Sequence, residues 1–322
     1  MAKKLITIIT PVYNKAPYIK DWAEGLAKQT YLDKMKILAT DDGSTDDSLE
    51  LVKKYSAEFN LPIEITDNGE NLGLMYTTKM LYKKIDTKFF AVLDADDYYI
   101  SPQKIENAVK FLQKHSDYST YACNIIHKYP DGKEIHEIPD DMDNKTFSGI
   151  RHAPFFQTSA TVFRNFFSTK LLNEIDKATG NKKRHAFEAD SFRNLLAFHF
   201  GKLYFENSPD SVWRKSIGAW ETLSNLNKEI SIMENHYLFF DFYKNMWGVD
   251  DNALSCIGIS FMQYKKILES LMNDLNIMNV SQFTLNESFN QILATKDNLS
   301  SAFGILIDYY KKFADNKLNI YG

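Results

Sequence analysis

Three carboxylates directly follow a short apolar segment near the end of the first hundred residues. Residues 89–93 are Phe-Phe-Ala-Val-Leu, and Asp94, Asp96 and Asp97 come directly after them. Such a run of strand-forming residues is typical of a buried parallel strand. Like charges packed this closely raise one another's pKa unless a cation compensates them, and Mg²⁺ and Mn²⁺ prefer carboxylate oxygens. These residues alone leave two interpretations open, a metal and ligand site or a solvated acidic turn.

Two other predicted strands also end in polar or acidic loops. The apolar segment 5–10 leads into the loop 11–15, and the segment 35–40 ends at Asp41 and Asp42. All strands of a parallel sheet end at one edge, which is where open α/β sheets bind ligands. A shared edge therefore favours a functional site over three unrelated turns.

The elements that position these loops alternate between strand and helix. A third strand is predicted over 63–66, and helical spacing of apolar residues separates each strand from the next. Ser44 and Asp47 resemble a capping box at the start of the second helix. The order β-α-β-α-β-α-β predicts a doubly wound sheet that is mostly parallel and flanked by helices.

The pattern changes in the second half of the chain. A hairpin is predicted over 118–138, a strand over 158–164 and a helix over 186–200. From about residue 221 onward, long segments with helical apolar spacing predict a helical C-terminal unit.

Composition and charge exclude several classes of protein. The 322 residues are 44% hydrophobic with a net charge of −4, which is typical of a globular protein and lacks the basic footprint of a nucleic-acid binder. Cys123 and Cys256 have no metal-ligand spacing and are expected to be buried free thiols. With no signal-peptide pattern and no long uncharged apolar run, we expect a cytoplasmic protein without a transmembrane segment. Peripheral contact at the inner face of the membrane stays open.

Taken together, the loops resemble those of the family 2 glycosyltransferases, which have the GT-A fold. The resemblance covers about residues 3–220, and it depends on the order and spacing of the motifs. The matching segments are Thr10-Pro11-Val12-Tyr13-Asn14, Asp41-Asp42-Gly43-Ser44-Thr45-Asp46, Asn71-Leu72-Gly73, Leu93-Asp94-Ala95-Asp96-Asp97, Glu188-Ala189-Asp190 and Trp213-Arg214.

The resemblance implies an architecture and an activity. A GT-A catalytic domain would span 1–220, with a nucleotide-sugar-binding half over 1–100 and an acceptor-binding half over 101–220, and a helical domain would follow over 221–322. The implied enzyme is a metal-dependent, inverting glycosyltransferase. It would move a sugar from a nucleotide diphosphate, UDP in the first place, to a hydroxyl of a bacterial-type surface glycan or polyol phosphate, such as capsule, lipopolysaccharide, teichoic acid or a glycoprotein glycan. The alternative is a GT-A-like scaffold that binds nucleotide sugar without turnover.

Family knowledge also implies a role for individual residues. Mn²⁺ or Mg²⁺ would be held by Asp96, with Asp94 and Asp97 as further ligands, and Asp94 would also contact the ribose or sugar. Asp41 would face the nucleobase, and Lys79 would approach the diphosphate or donor sugar. The remaining residues implied in nucleotide and donor binding are Thr10, Pro11, Tyr13, Asp42, Asn71, Gly73 and Ala95.

The implied catalytic motif departs from the family pattern. Adjacent Glu-Asp is usual, whereas Ala189 separates Glu188 from Asp190 here. Asp190 is the favoured general base because the following residues continue the family pattern from that position, and an exchange of roles with Glu188 stays open. Arg214 and Arg184 are expected on the acceptor side or near the diphosphate.

Two further expectations concern rival enzymes and the C-terminal unit. Nucleotidyltransferases share a similar sheet but need a Gly-rich basic loop after the first strand, which the residues 11–15 do not provide. The aromatic segment 237–243 is expected to pack within the protein or to form a homo-oligomer. Membrane docking is disfavoured because the C-terminal unit has no Arg and several acids.

Overall fold

The computed structural model describes residues 3–138, 144–149, 156–179, 189–215 and 225–260, together with Met262, Gln263 and Lys266. The chain divides into two compact units, Met1–Glu221 and Thr222–Gly322. Each unit is described separately below.

Ten strands of the first unit form one sheet. Their order across the sheet is β3-β2-β1-β4-β9-β6-β10-β5, with β7 beside β6 and β8 beside β10. The strands are β1 (Ile6–Val12), β2 (Met35–Asp41), β3 (Ile63–Asp67), β4 (Phe89–Val92), β5 (Tyr98–Tyr99), β6 (Tyr118–Lys128), β7 (Glu134–His136), β8 (Lys145–Phe147), β9 (Thr161–Arg164) and β10 (Lys202–Arg214).

Six α-helices of the described residues accompany this sheet. The connections β1-α1-β2-α2-β3-α3-β4 follow the predicted alternation. The helices are α1 (Ile19–Ala27), α2 (Ser48–Glu58), α3 (Leu74–Lys83), α4 (Lys104–Lys114), α5 (Thr169–Thr179) and α6 (Ala189–Phe200).

The parallel half of the sheet confirms the predicted fold class. Strands β1 to β4 pair in parallel, whereas β9 pairs antiparallel with both β4 and β6. The predicted hairpin is present as β6 and β7, which pair antiparallel. The strand predicted from residue 158 begins at Thr161, because a 3-10 turn (Thr158–Ala160) precedes it.

Burial explains why these segments form a sheet core. All seven residues of β1 and all four of β4 are buried, so both strands are covered on their two faces. Trp22 of α1 is fully buried against this layer. Gly25 lets α1 approach closely, since a Cβ at that position would lie 2.8 Å from the carbonyl oxygen of Tyr99.

The second unit is helical where it is described. Helix α7 (Asn225–Trp247) is followed by a turn at Gly248 with φ of +89° and by a helical segment over 251–260. Tyr243 donates to Asp250 at 2.8 Å, which links the end of α7 to the start of that segment. Most of the predicted helix over 259–275 lies outside the described residues. Within 237–243, Phe239, Phe240 and Tyr243 are buried in the single chain, which favours packing over self-association.

Candidate functional site

The three predicted loops meet at one edge of the sheet. Strand β1 lies between β2 and β4 and is parallel to both, so their carboxyl ends are neighbours. The hydroxyl of Thr10 donates to the carbonyl oxygen of Leu93 at 2.8 Å, and the amide of Asp42 donates to that of Val12 at 2.8 Å. The edge shared by these motifs is therefore confirmed.

The loop after β1 is tied to the loop after β2. Asn14 has a positive φ of 52°, and its amide donates to Ser44 Oγ at 3.0 Å. In return, the side-chain oxygen of Asn14 accepts from the Thr45 amide at 2.8 Å. The amide of Lys15 donates to Ser48 Oγ at 2.6 Å. These bonds fix the first loop against the start of α2.

The predicted capping box does not form. Asp47 is the residue before α2, but its side chain makes no capping hydrogen bond. Instead, Asp46 accepts from the Ser48 amide at 3.0 Å and from the Ala16 amide at 3.1 Å. Ser44 Oγ accepts from the loop after β1, and Asp46 instead of Ser44 accepts from an amide at the start of α2.

Asp41 presents one unused acceptor at this edge. The residue is 3% exposed, and its Oδ2 accepts from the Ser44 amide at 2.8 Å. Its Oδ1 is buried and has no hydrogen-bond partner among the residues that the structure describes. A buried acceptor without a partner is costly in a folded protein, and a ligand N–H would satisfy it. Nearby in sequence, Pro11 is buried, whereas Tyr13 is 43% exposed.

Asp42 has a different environment from its neighbour. Its carboxylate accepts four hydrogen bonds, from Asn68 Nδ2 (2.9 Å), the amides of Leu72 (2.9 Å) and Gly73 (2.9 Å), and Thr77 Oγ1 (2.8 Å). This buried carboxylate therefore holds the turn that precedes α3, and its predicted contact with the nucleotide or donor stays a prediction.

Close packing against the same turn explains why residue 43 is a glycine. Gly43 has φ of +71°, and a Cβ there would lie 2.4 Å from the carbonyl carbon of Glu70. The loop after β2 can touch the turn only if residue 43 has no side chain. Within that turn Asn71 is exposed, and Gly73, with φ of +95°, immediately precedes α3.

Lys79 points toward α5. Its Nζ lies 3.1 Å from Asp176 Oδ1 and donates to Thr179 Oγ1 at 3.1 Å, and the residue is 5% exposed. These contacts give Lys79 a role in packing α3 against α5. Its predicted contact with the diphosphate stays a prediction.

The acidic turn after β4 contains two carboxyl groups with a raised pKa, Asp94 and Asp97. Burial raises the pKa of Asp94 to about 7, with a further increase from Asp96. Burial and the charges of Asp96 and Asp94 raise the pKa of Asp97 well above its ordinary value. Asp97 is 1% exposed and accepts from Gln157 Nε2 at 3.0 Å. Because neutral donors surround it, Asp97 is suited to fixing the turn. Ala95 is 1% exposed.

Asp96 is paired with a cation from the first loop. Its Oδ2 lies 2.6 Å from Lys15 Nζ, and its side chain is 14% exposed. The carbonyl oxygen of Asp96 accepts from the guanidinium of Arg214.

Arg214 connects the last strand to the acidic turn. Its amide donates to Asp97 Oδ1 at 3.2 Å, and its guanidinium pairs with Asp21 of α1. The guanidinium also lies over the rings of Tyr18 (5.1 Å) and Tyr98 (4.6 Å). These contacts make Arg214 a residue that positions the turn, and its predicted contact with acceptor or diphosphate stays a prediction.

Asp190 lies in the first turn of α6, within electrostatic reach of the acidic turn. Its charge contributes to the raised pKa of Asp94, whereas Arg193 acts in the opposite direction. Arg193 is 2% exposed and donates to Tyr82 Oη at 3.0 Å and to Thr158 Oγ1 at 3.3 Å. The structure therefore brings the predicted base and the acidic turn to one site. Glu188 and Arg184 lie outside the described residues.

Sequence reasoning missed three residues of this site. Lys15 immediately follows the first motif, and Arg193 is a cation within an apolar helix pattern three residues after Asp190. Both features could have been noticed in the sequence. Gln157 carries no such indication, since only the fold brings it to Asp97.

The donor chemistry of the acidic turn fits a hard divalent cation. Asp94 and Asp96 supply carboxylate oxygens whose mutual repulsion such an ion would relieve. Over the part of the chain that the structure describes, no three His, Cys, Asp or Glu side chains form a metal-binding group. One or two carboxylates suffice for Mg²⁺ when substrate phosphates supply other ligands. The roles of Asp94, Asp96 and Asp97 as metal ligands stay predictions.

Comparison with known proteins identifies the family. The model of glycosyl transferase family 2 matches residues 7–172, so the chain belongs to this family. A processive diacylglycerol beta-glycosyltransferase of Mycoplasma genitalium is 30% identical over 112 residues, which is 34% of this chain and 33% of that protein. The poly(ribitol-phosphate) beta-N-acetylglucosaminyltransferase TarS of Staphylococcus aureus is 29% identical over 110 residues, or 34% of this chain and 19% of that protein. The chain spans less than half the length of the curated relatives it matches.

Solved structures support the fold. S. aureus TarS 1–349 in complex with UDP-GlcNAc has a TM-score of 0.57 at 17% identity, covering 94% of this chain and 80% of that one. The mannosyltransferase PcManGT from Pyrobaculum calidifontis, in complex with GDP-Man and Mn²⁺, has a TM-score of 0.51 at 14% identity, covering 95% and 88%. The chain therefore has the GT-A fold, as predicted.

None of the described helices is both long enough and apolar enough to cross a bilayer.

Proposed function

We propose that this protein is an inverting glycosyltransferase that uses a UDP-sugar donor and a divalent cation. The observation that carries the proposal is the convergence of Asp41, Asp94 and Asp96 at the carboxyl edge of the sheet, with Asp190 of α6 within electrostatic reach of Asp94. Family membership supports the reaction class, and TarS with bound UDP-GlcNAc offers a structural parallel for the donor.

The hydrogen bonds of Asp41 favour uracil over other bases. Uracil offers one N–H donor between two carbonyl groups, which suits the single unused oxygen Oδ1 of Asp41. Guanine would offer two donors, but Oδ2 is already engaged by the Ser44 amide. Cytosine presents an acceptor at the corresponding position, and a carboxylate would repel it. Mismatched buried polar groups discriminate strongly between ligands.

The diphosphate would be bound beside the acidic turn. Asp94 and Asp96 would hold Mn²⁺ or Mg²⁺, which when bound would neutralise charge developing on the leaving diphosphate. The backbone of this turn is held by Arg214 and by the buried Asp97, so the two outer carboxylates keep their relative positions. Asn71 and Tyr13 are exposed at the neighbouring loops and remain candidates for contacts with the donor.

Asp190 is proposed as the general base. It would accept the proton of the acceptor hydroxyl as that oxygen attacks the anomeric carbon from the face opposite the leaving UDP. The new C–O bond forms as the bond to the diphosphate breaks, so the configuration at the anomeric carbon inverts. A positioned carboxylate of this kind contributes about 10²- to 10⁴-fold to such a rate.

The acceptor is proposed to be a hydroxyl of a surface glycan or polyol phosphate. The support is the similarity to TarS, a poly(ribitol-phosphate) beta-N-acetylglucosaminyltransferase, which covers 34% of this chain. Capsule, lipopolysaccharide, teichoic acid and glycoprotein glycans share the required hydroxyl chemistry.

Calorimetric titration with UDP, GDP and CDP, with and without Mn²⁺, tests the donor site. We expect UDP to bind in a metal-dependent manner, Asp96→Ala to lose that dependence and Asp41→Asn to lose the preference for UDP. The exposed Asp86→Asn serves as a matched control, because Asp86 pairs with Lys36 away from the site motifs. Tighter binding of GDP would overturn the base assignment, and nucleotide binding without any turnover of a UDP-sugar would support the non-catalytic scaffold. An absence of nucleotide binding would overturn the proposed donor site.

A further inference from the structure

Lys15 and Asp96 form a close ion pair inside the proposed donor site. Lys15 Nζ lies 2.6 Å from Asp96 Oδ2, and the two side chains are 21% and 14% exposed. A pair this sheltered is screened less by salt than one on the open surface. The ammonium group therefore shields the carboxylate that the proposed function assigns to a divalent cation.

Hydrogen bonds within the protein fix the backbone around Lys15. The Lys15 amide donates to Ser48 Oγ at 2.6 Å, and the Ala16 amide donates to Asp46 Oδ2 at 3.1 Å. The Lys15 carbonyl oxygen accepts from the Tyr18 amide at 2.9 Å. With the backbone fixed, rotations of the four-carbon side chain redirect the ammonium group. Lysine suits this role because its ammonium is a compact charge, whereas the guanidinium of arginine is a rigid planar group.

The other carboxylates of the turn have further partners. Arg193 and, to a smaller extent, Lys15 act on Asp94, and Asp97 is held by the amide of Arg214 and the side chain of Gln157. The close ion pair of Lys15 is the one with Asp96, where the ammonium group competes for the oxygen that a metal ligand must offer.

We infer that Lys15 couples the binding of the divalent cation to the binding of the donor. Without nucleotide, Lys15 occupies Asp96 and weakens the binding of free Mn²⁺. When the donor binds, its diphosphate offers Lys15 another anionic partner, and Asp96 becomes available to the cation. Cation and UDP-sugar then bind cooperatively, and by thermodynamic linkage each raises the affinity of the other by the same factor. This inference rests on the proposed function.

The variant Lys15→Met tests the coupling because it keeps an unbranched, flexible side chain that is only one atom shorter and removes the charge. We expect Mn²⁺ alone to bind this variant about tenfold more tightly than wild type, within the range typical of such couplings. UDP should then raise the affinity for Mn²⁺ by a smaller factor than it does in wild type. Both quantities can be measured by calorimetry and by the paramagnetic resonance of free Mn²⁺, without turnover.

Two further variants control this experiment. Lys15→Gln repeats the loss of charge with a different shape, and its result decides the question if Lys15→Met fails to fold. Lys20→Met removes a lysine of α1 that pairs with Glu24 on the surface, and it should leave both affinities unchanged.

The outcomes separate this inference from the proposed function. Equal Mn²⁺ affinity without nucleotide in wild type and in the folded Lys15 variants would overturn the coupling. A wild type that binds no UDP at any Mn²⁺ concentration would overturn the proposed donor instead, while the measurement with Mn²⁺ alone would still decide whether Lys15 competes for Asp96.

Discussion

Two groups of aspartates stand at the ends of β2 and β4, on either side of β1, and their carboxylates have opposite environments. After β2, the buried Asp42 is satisfied by four hydrogen bonds from the protein itself. After β4, burial and mutual repulsion raise the pKa of both Asp94 and Asp97. The first group includes a carboxylate whose charge the protein itself satisfies, whereas in the second group burial and neighbouring charges oppose ionisation.

This difference shows that position at a strand end does not decide what an aspartate does. What decides is the set of donors that the fold brings to each carboxylate. Asp41 and Asp42 are adjacent in sequence, yet Asp42 is saturated and Asp41 keeps one buried oxygen without a partner among the described residues. The following predictions test this contrast, beginning with the largest expected effect.

The largest effect is expected on turnover at the acidic site. Asp190→Asn should lower the rate of UDP release from the donor by about 10²- to 10⁴-fold, because the amide cannot accept the acceptor's proton. Binding of UDP, measured by calorimetry, should stay unchanged. Glu58→Gln, on the exposed end of α2, is the matched control. If Glu188→Gln lowered the rate more than Asp190→Asn does, Glu188 rather than Asp190 would be the general base.

The same isosteric change should have unequal effects on stability in the two groups. Asp42→Asn places an NH₂ group opposite at least one of the N–H or O–H donors and should cost about 3 kcal/mol of unfolding free energy. Asp97→Asn should cost less than Asp42→Asn, because two hydrogen bonds rather than four reach its carboxylate and because burial and the neighbouring charges, which raise its pKa, already oppose its ionised form. Urea denaturation of both variants checks the order. Equal costs would remove the contrast between the two groups.

The pKa of Asp94 predicts how metal binding depends on pH. Below its pKa of about 7 the carboxyl is protonated and cannot ligate, so Mn²⁺ affinity in the presence of UDP should fall about tenfold per pH unit. Asp94→Asn should bind Mn²⁺ more weakly at pH 8 and lose this slope. A wild-type profile that is flat between pH 5 and 8 would contradict the assignment.

The raised pKa of Asp94 also determines whether this residue stabilises the fold more at low or at high pH. Between 3.8 and about 7 the folded protein binds more protons at Asp94 than the unfolded chain does. In the absence of metal, the contribution of Asp94 is therefore fully present below that window and is lost as the pH rises through it. Thermal melts of wild type and Asp94→Asn across this range provide the check.

The smallest effect is expected at the residue that links the acidic turn to α1. Arg214→Lys keeps the charge but loses the planar group that lies over Tyr18 and Tyr98, at a cost of about 1 kcal/mol. A double-mutant cycle with Asp21→Asn should give a coupling below about 1 kcal/mol, because Asp21 is 52% exposed. A coupling well above that value would show that the exposed pair contributes more than its position suggests.

The sequence by itself determined the frame of this protein. Apolar runs followed by Pro, Gly or Asp identified the first four strands, and their alternation with helices implied a parallel arrangement that places the motifs at one edge. The resemblance of those motifs identified the family and the GT-A fold. These features are local, since each depends on residues within one strand and the loop after it.

Only the tertiary structure decided which side chains pair with which charged groups. Lys15 pairs with Asp96 across 81 positions, Lys79 bonds to Thr179 across 100, and Gln157 reaches Asp97 across 60. No spacing rule predicts such pairs, because the crossing of strands and helices sets them. The physical reason is that a carboxylate's pKa and ligand preference depend on burial and on distances to other charges, and folding creates both.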